Sequence, residues 1–254
     1  SRGCQMTCHA CALPTSMTRK LRIFDFEHVV GQLDQLRAAG KRACLTEDTS
    51  WFPGGKTRRQ LNQLFDHMIE RPNEAVISYI GISMPMILAT PPSMLERAKA
   101  AGINMFYLVG GFDPVTMNAF TGRDPLAWQR GLDSIAKAWD HGIEPYTSFL
   151  IGLDDDDEGT VDRMLEFANA SKIRKAEFAI FTPYPGTPSW YRLVAEDRIL
   201  TRDWSKYNDA NVVFRPKGMS VDALRGAYLR LWRDFYADRK HLETLPVAER
   251  TIQF

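Results

Sequence analysis

At 254 residues, 44% hydrophobic and 25% charged, the chain has the material for one large α/β barrel domain, with or without a small appendage. A formal net charge of +1 gives no electrostatic reason to bind nucleic acid or an anionic membrane surface. No apolar run reaches the roughly 18–20 residues that span a bilayer. The longest, residues 75–89, is interrupted by Ser78, Gly81 and Ser83 and reads as a buried strand followed by its loop. The chain opens with Ser1-Arg2-Gly3-Cys4, without an initiator methionine and without a signal-peptide pattern, so truncation at the N-terminus is expected.

From residue 20 onward, helical and strand-like segments alternate. Residues 26–39 place Val29, Val30, Leu33 and Leu36 at helical spacing and end at Gly40. Residues 42–46 read as a buried strand. Residues 57–70 are helical, with Leu61, Leu64, Phe65 and Met68 on one face. A strand over 75–82, a helix over 92–101 and a strand over 104–109 follow. Next come a helix over 125–141, a strand over 146–152, a helix over 158–171 and a strand over 176–181. Five strands separated by helices predict parallel βαβ units in a barrel or open sheet. After Pro183, Pro185, Gly186 and Pro188 comes a short helix over 190–197. A long amphipathic helix over 221–239 carries Leu224, Tyr228, Leu231, Trp232 and Phe235 on one face. The expected division is a barrel over 1–197 and an extension over 198–254 packed on it.

Three of the four cysteines fall within eight residues, as Cys4-x3-Cys8-x2-Cys11. A disulfide framework spreads its cysteines along a short secreted chain, so this clustering favours a metal site in a reducing compartment, with the cytoplasm as the expected location. Three thiolates on one loop can each hold one corner of a 4Fe–4S cube, leaving the fourth iron open to a small molecule. A tetrahedral zinc site would need a fourth ligand, for which His9 is poorly placed between Cys8 and Cys11. Three buried structural thiols are the plainest alternative. Cys44, between Ala43 and Leu45, reads as a buried small hydrophobe.

At this loop the sequence resembles the radical S-adenosylmethionine (SAM) superfamily. Residues 149–153 (FLIGL) before an acidic loop, 181–188 (FTPYPGTP), 199–207 (ILTRDWSKY), and 212–216 (VVFRP) with Met219-Ser220 resemble its cobalamin-binding class. The similarity extends to the subgroup of hopanoid C-2 methylases. The resemblance implies a partial (β/α)6 TIM-like barrel of parallel strands with its first strand truncated and a helical C-terminal extension. It implies a 4Fe–4S cluster on Cys4, Cys8 and Cys11, with SAM on the open iron and cleaved to a 5′-deoxyadenosyl radical. It further implies a cobalamin domain upstream of Ser1, C-methylation of an apolar small-molecule substrate, and an electron donor such as flavodoxin or ferredoxin. A radical reaction without methyl transfer, such as cyclisation, rearrangement or hydroxylation, is one rival reading. A zinc- or cluster-bearing binding protein without turnover is another.

Barrel chemistry gathers at the C-terminal ends of the strands. Glu47 and Asp48 directly follow the strand over 42–46, the barrel's second with its first truncated, where the resemblance implies contacts to the methionine ammonium. Ser78 is expected to face inward toward the carboxylate or ribose. Asp113 stands where relatives carry glutamate, and Ala10 where an aromatic residue packs on adenine. Gly152 matches the glycine beside adenine. Residues 154–157 read as a solvated acidic loop. Trp51, Phe52, Met84, Met86, Tyr184 and Trp190 are expected at the barrel mouth as an apolar wall.

Overall fold

The computed structural model describes residues 1–6, 8–45, 51, 55–71, 77–108, 118–122 and 124–237. After α1 (Leu13–Ser16) and α2 (Phe26–Ala38), strands and helices alternate. They are β1 (Ala43–Leu45), α3 (Lys56–Glu70), β2 (Ile77–Ile82), α4 (Met84–Ala89), α5 (Pro92–Ala100), β3 (Met105–Leu108), α6 (Pro125–Asp140), β4 (Glu144–Ile151), α7 (Thr160–Ala170) and β5 (Lys175–Ile180). They are followed by α8 (Pro188–Ala195), a 3-10 turn (Trp204–Lys206) and α9 (Val221–Ala237). The five strands form one sheet in chain order, every neighbouring pair parallel. Sequential parallel pairing with helical crossovers is the βαβ arrangement that the alternation predicts.

The helix-covered face holds the core. Phe106 meets Trp51, which packs on Phe65 of α3; Phe149 stacks on Phe178, and Phe178 meets Trp232 and Phe235 of α9. Val212, Val213, Phe214, Leu224 and Leu231 join the same cluster, so residues beyond 198 bury their apolar side chains together with those of the strands. The indole of Trp51 is fully buried and donates to the Gly81 carbonyl at 3.1 Å. Burial with the N–H satisfied is what makes a tryptophan a stable core residue.

Several local readings change. Residues 84–89 are helix rather than loop: Pro85 occupies the first turn, and Met84 and Ile87 are buried. Lys137 of α6 donates to the carbonyls of Leu88 and Thr90 at 2.9 and 2.7 Å, satisfying the end of α4. Helix α8 begins at Pro188, two residues early, because the Thr187 hydroxyl accepts from Trp190 N and Pro188 needs no partner for a missing N–H. Cys44 is exposed, not buried, since β1 is an edge strand.

Candidate active site

The cysteine loop is pinned to the rest of the fold at both ends. Arg2 and Arg22 exchange backbone hydrogen bonds at 2.8 and 2.7 Å, and Cys4 N donates to the Thr18 carbonyl at 3.3 Å. Further along, Ser189 N donates to the His9 carbonyl at 3.0 Å, and the Thr15 hydroxyl to Gly186 O at 3.3 Å. The loop therefore rests on the β5–α8 connection. Ala10 is buried there, while Cys4, Cys8 and Cys11 are half-buried and none is in a disulfide. Among the described residues, no three His, Cys, Asp or Glu side chains stand ready-gathered around one metal position. In number and softness the three thiols fit an iron–sulfur cluster.

Gly3 makes the turn into Cys4. Its φ is +93°, and a Cβ there would lie 2.4 Å from the Lys20 carbonyl oxygen. Backbone cannot rotate out of the way as a side chain can. Gly3→Ala is therefore expected to release the Cys4 end of the loop, lowering iron bound per chain after anaerobic reconstitution while far-ultraviolet circular dichroism stays unchanged. Full iron loading of that variant would refute the account.

A cavity of about 490 Å³ opens beside the loop, within the ~300–1,000 Å³ range of cofactor sites. The cysteine loop contributes Met6, Cys8, His9 and Ala10. The segment after β4 contributes Leu153 to Asp156, and Phe181 follows β5. Ser189 and Arg192 come from α8, with Asn118 and Thr121 on the remaining side. Its walls thus lie at the C-terminal ends of β4 and β5, where barrel chemistry gathers.

The acidic loop is solvated only in part: Asp155 and Asp157 are exposed, but Asp154 and Asp156 are engaged by the fold. Asp156 is only 5% exposed, and one of its carboxylate oxygens accepts from both Gly152 N and Leu153 N, at 2.7 and 2.8 Å. Burial pushes its carboxyl up to about 6, against the opposing pull of those two N–H groups and of Arg163. Asp154 pairs with Arg198 at 2.8 Å, with Lys217 at 3.4 Å, and with Arg192. Burial opposes ionisation of Asp154, but the hydrogen bonds from Arg198 and Arg192 prevail and hold its carboxyl below the usual range.

The other expected site residues divide. Gly152 has φ +101°, and a Cβ on it would meet Leu224 at 3.0 Å and Phe214 at 3.4 Å. The missing side chain thus makes room for the C-terminal segment. Ser78 shares the helix-covered face with Ile80 and Ile82, by the two-residue period of the strand, and it is Tyr79 that turns to the opposite face. Glu47, Asp48 and Asp113 lie outside the described residues, as does Phe52. The apolar wall is largely occupied in packing. Trp51 and Met84 are fully buried, Met86 packs on the core, Trp190 meets Trp204 and Tyr207 at tilted, edge-on angles, and the Tyr184 hydroxyl donates to Asp209 at 2.7 Å.

One group of residues was not expected from the sequence. On the face of the sheet away from the helices, Tyr107 of β3 and Tyr146 of β4 both donate to Glu177 of β5, at 2.5 and 3.1 Å. Tyr79, beside Cys44 on the same face, is pushed up to about 12 by burial and by the hydrogen bond and charge of Cys44, with a smaller contribution from Glu177. The available signal was a charged residue in the middle of the otherwise apolar stretch Ala176–Ile180, with tyrosines in the two strands before it.

A parallel five-stranded sheet with a three-cysteine loop beside the C-terminal ends of β4 and β5 is an arrangement whose fold solved radical SAM enzymes share. The radical SAM methyltransferase TsrM of Kitasatospora setae, solved with tryptophan and a SAM analogue, superposes with a TM-score of 0.58 over 76% of this chain and 37% of its own, at 15% identity. In sequence, the chain is 31% identical over 246 residues to an uncharacterized methyltransferase of Pyrococcus horikoshii, covering 95% of this chain and 51% of that protein. It is 24% identical over 251 residues to the bacteriochlorophyllide d C-12(1)-methyltransferase of Chlorobaculum tepidum, covering 93% and 50%. It is 24% identical over 205 residues to the hopanoid C-2 methylase of Rhodopseudomonas palustris, covering 80% and 38%. In sequence the chain is related to these methyltransferases, and in fold it resembles a radical SAM methyltransferase. It spans about half the length of the first two curated relatives. No family model matches it.

Proposed function

We propose that this chain is the barrel of a radical SAM enzyme that C-methylates a small molecule at an unactivated carbon, with cobalamin held by a part of the protein outside this chain. The observation that carries the reading is the three-thiol loop closing on the cavity at the C-terminal edge of the sheet, in a chain homologous to methyltransferases. A 4Fe–4S cluster held by Cys4, Cys8 and Cys11 would supply the one-electron chemistry that activates SAM, and cobalamin would supply the methyl group.

The chain's own residues bind, orient and exclude water. Cys4, Cys8 and Cys11 hold the cluster at the cavity wall. Ala10 flanks the space for the adenosine part, beside the turn that Gly152 makes, with Glu47, Asp48 and Asp113 completing the SAM contacts. The turn at Gly152, held by Asp156, shapes the wall from below. Arg192 and Arg198 keep Asp154 ionised at the rim. The reading takes a small molecule as substrate and a one-electron donor protein such as flavodoxin or ferredoxin; separately, no described helix is long and apolar enough to cross a membrane.

The test is anaerobic reconstitution of the chain with iron and sulfide, followed by SAM and a chemical reductant. Dark cluster absorbance and formation of 5′-deoxyadenosine are expected. A colourless chain holding one zinc, with intact SAM after reduction, would reject the reading. In the longer protein, methylated product and bound cobalamin separate methyl transfer from cyclisation, rearrangement or hydroxylation.

A further inference from the structure

The polar cluster on the inner face of the sheet has no part in holding the cluster or SAM as proposed. Glu177 sits half-buried on β5, accepting one phenol proton on each carboxylate oxygen, from Tyr107 and Tyr146. Each oxygen retains a lone pair for a further donor. The two phenol rings stand 5.4 Å apart at 48°, framing the carboxylate. Burial, with the hydrogen bonds and charge of Glu177, pushes both tyrosines well above the usual phenol range, so they remain donors at neutral pH.

Among the described residues no lysine, arginine or histidine forms an ion pair with Glu177; Lys175, two residues away, pairs with Glu144 at 3.0 Å. A half-buried carboxylate without a protein cation repels an anion and rewards a cation or N–H donor brought against it. Aromatic faces add attraction for a cation. The site lies in the middle of β3, β4 and β5, on the side of the sheet away from the helices, and the cavity walls stand at the C-terminal ends of β4 and β5.

We propose that Glu177, framed by Tyr107 and Tyr146, docks a protonated amine of the substrate on the inner face of the barrel. The proposal rests on the reading of the barrel interior as the reaction chamber. It shifts the expected substrate from a purely apolar molecule to one with a basic nitrogen.

The test uses 3-fluorotyrosine incorporated into the chain and ¹⁹F NMR, with the Tyr107 and Tyr146 resonances assigned by tyrosine-to-phenylalanine variants. The probes are phenethylamine and 3-phenylpropanoate, matched in ring and opposite in charge. Phenethylamine should shift both resonances saturably and 3-phenylpropanoate should not. Glu177→Gln should weaken the amine response by at least about tenfold, as loss of a charge-assisted contact implies. Equal responses to the two probes, no saturable response to the amine, or an unchanged affinity in Glu177→Gln would each overturn the proposal. The contrast between probes needs no variant, so it decides the matter even if Glu177→Gln fails to fold. Formation of 5′-deoxyadenosine in a chain blind to the amine removes this inference alone; amine binding in a chain that leaves SAM intact removes the enzyme reading instead.

Discussion

Replacing Cys4, Cys8 or Cys11 singly with alanine is expected to reduce both cluster absorbance and 5′-deoxyadenosine formation to background. In the proposed site a cube held by three protein thiolates would have no spare protein ligand, each cysteine being the sole holder of one corner. The loop gives the remaining two little chance to compensate. Its ends are fixed by the Arg2–Arg22 bridge and by Ser189 on the His9 carbonyl, so a neighbouring group cannot slide into the gap. The exposed His9 is the nearest alternative donor, yet its backbone is held by that same bond. Cys44→Ala serves as the internal comparison. Cys44 lies on β1, away from the loop, and its removal should leave iron per chain unchanged. Iron, acid-labile sulfide and 5′-deoxyadenosine measured on all four variants settle the assignment. Equal iron loss on removing Cys44, or full loading after removing any loop cysteine, would sink it.

The second large effect concerns Asp156 and acid. In the folded chain burial raises its carboxyl from an ordinary 3.8 to about 6. A carboxyl raised on folding contributes stability that is full below its unfolded value and is lost as pH rises through its folded value. The window is therefore roughly pH 4 to 6, and stability from this group should fall across it as pH increases. Two pH units correspond to about 3 kcal/mol, an order-of-magnitude figure for a buried group. Asp156→Asn keeps an oxygen for the Gly152 and Leu153 N–H groups without the buried charge. It should flatten the pH 4–6 dependence of urea midpoints and match or exceed wild-type stability at pH 8. Asp156→Ala leaves both N–H groups without their acceptor and should cost about 2–4 kcal/mol at pH 5. The same variant should weaken SAM binding, because the Gly152 turn forms part of the cavity wall. Identical pH slopes in wild type and Asp156→Asn would show that another group controls this range.

Much of the architecture was legible in the residues. Strand and helix positions follow from apolar periodicity, and the misplacements occur where a local device intervened. Pro85 and the Lys137 cap turned an apolar run into α4, and Thr187 with Pro188 moved the start of α8. Trp51, Met84 and Trp190 looked like a substrate wall because large apolar residues in loops carry no mark of which side they will pack on. Their place in the core follows from the arrival of α3, β3 and the 3-10 turn beside them.

By itself the sequence determined the chemistry available: three thiols at cluster spacing on one loop, and a run of parallel βαβ units to carry it. Ligand spacing and periodicity are local properties, set by residues close together along the chain. Only the tertiary structure decided which side of each strand looks inward and which charges are buried. It turned Ser78 toward the helices and Tyr79 away from them, buried Asp156 beneath the Gly152 turn, and brought Tyr107, Tyr146 and Glu177 together across three strands. Those outcomes depend on register between strands distant in sequence and on what packs against each face. Neither is written in the spacing of any single segment.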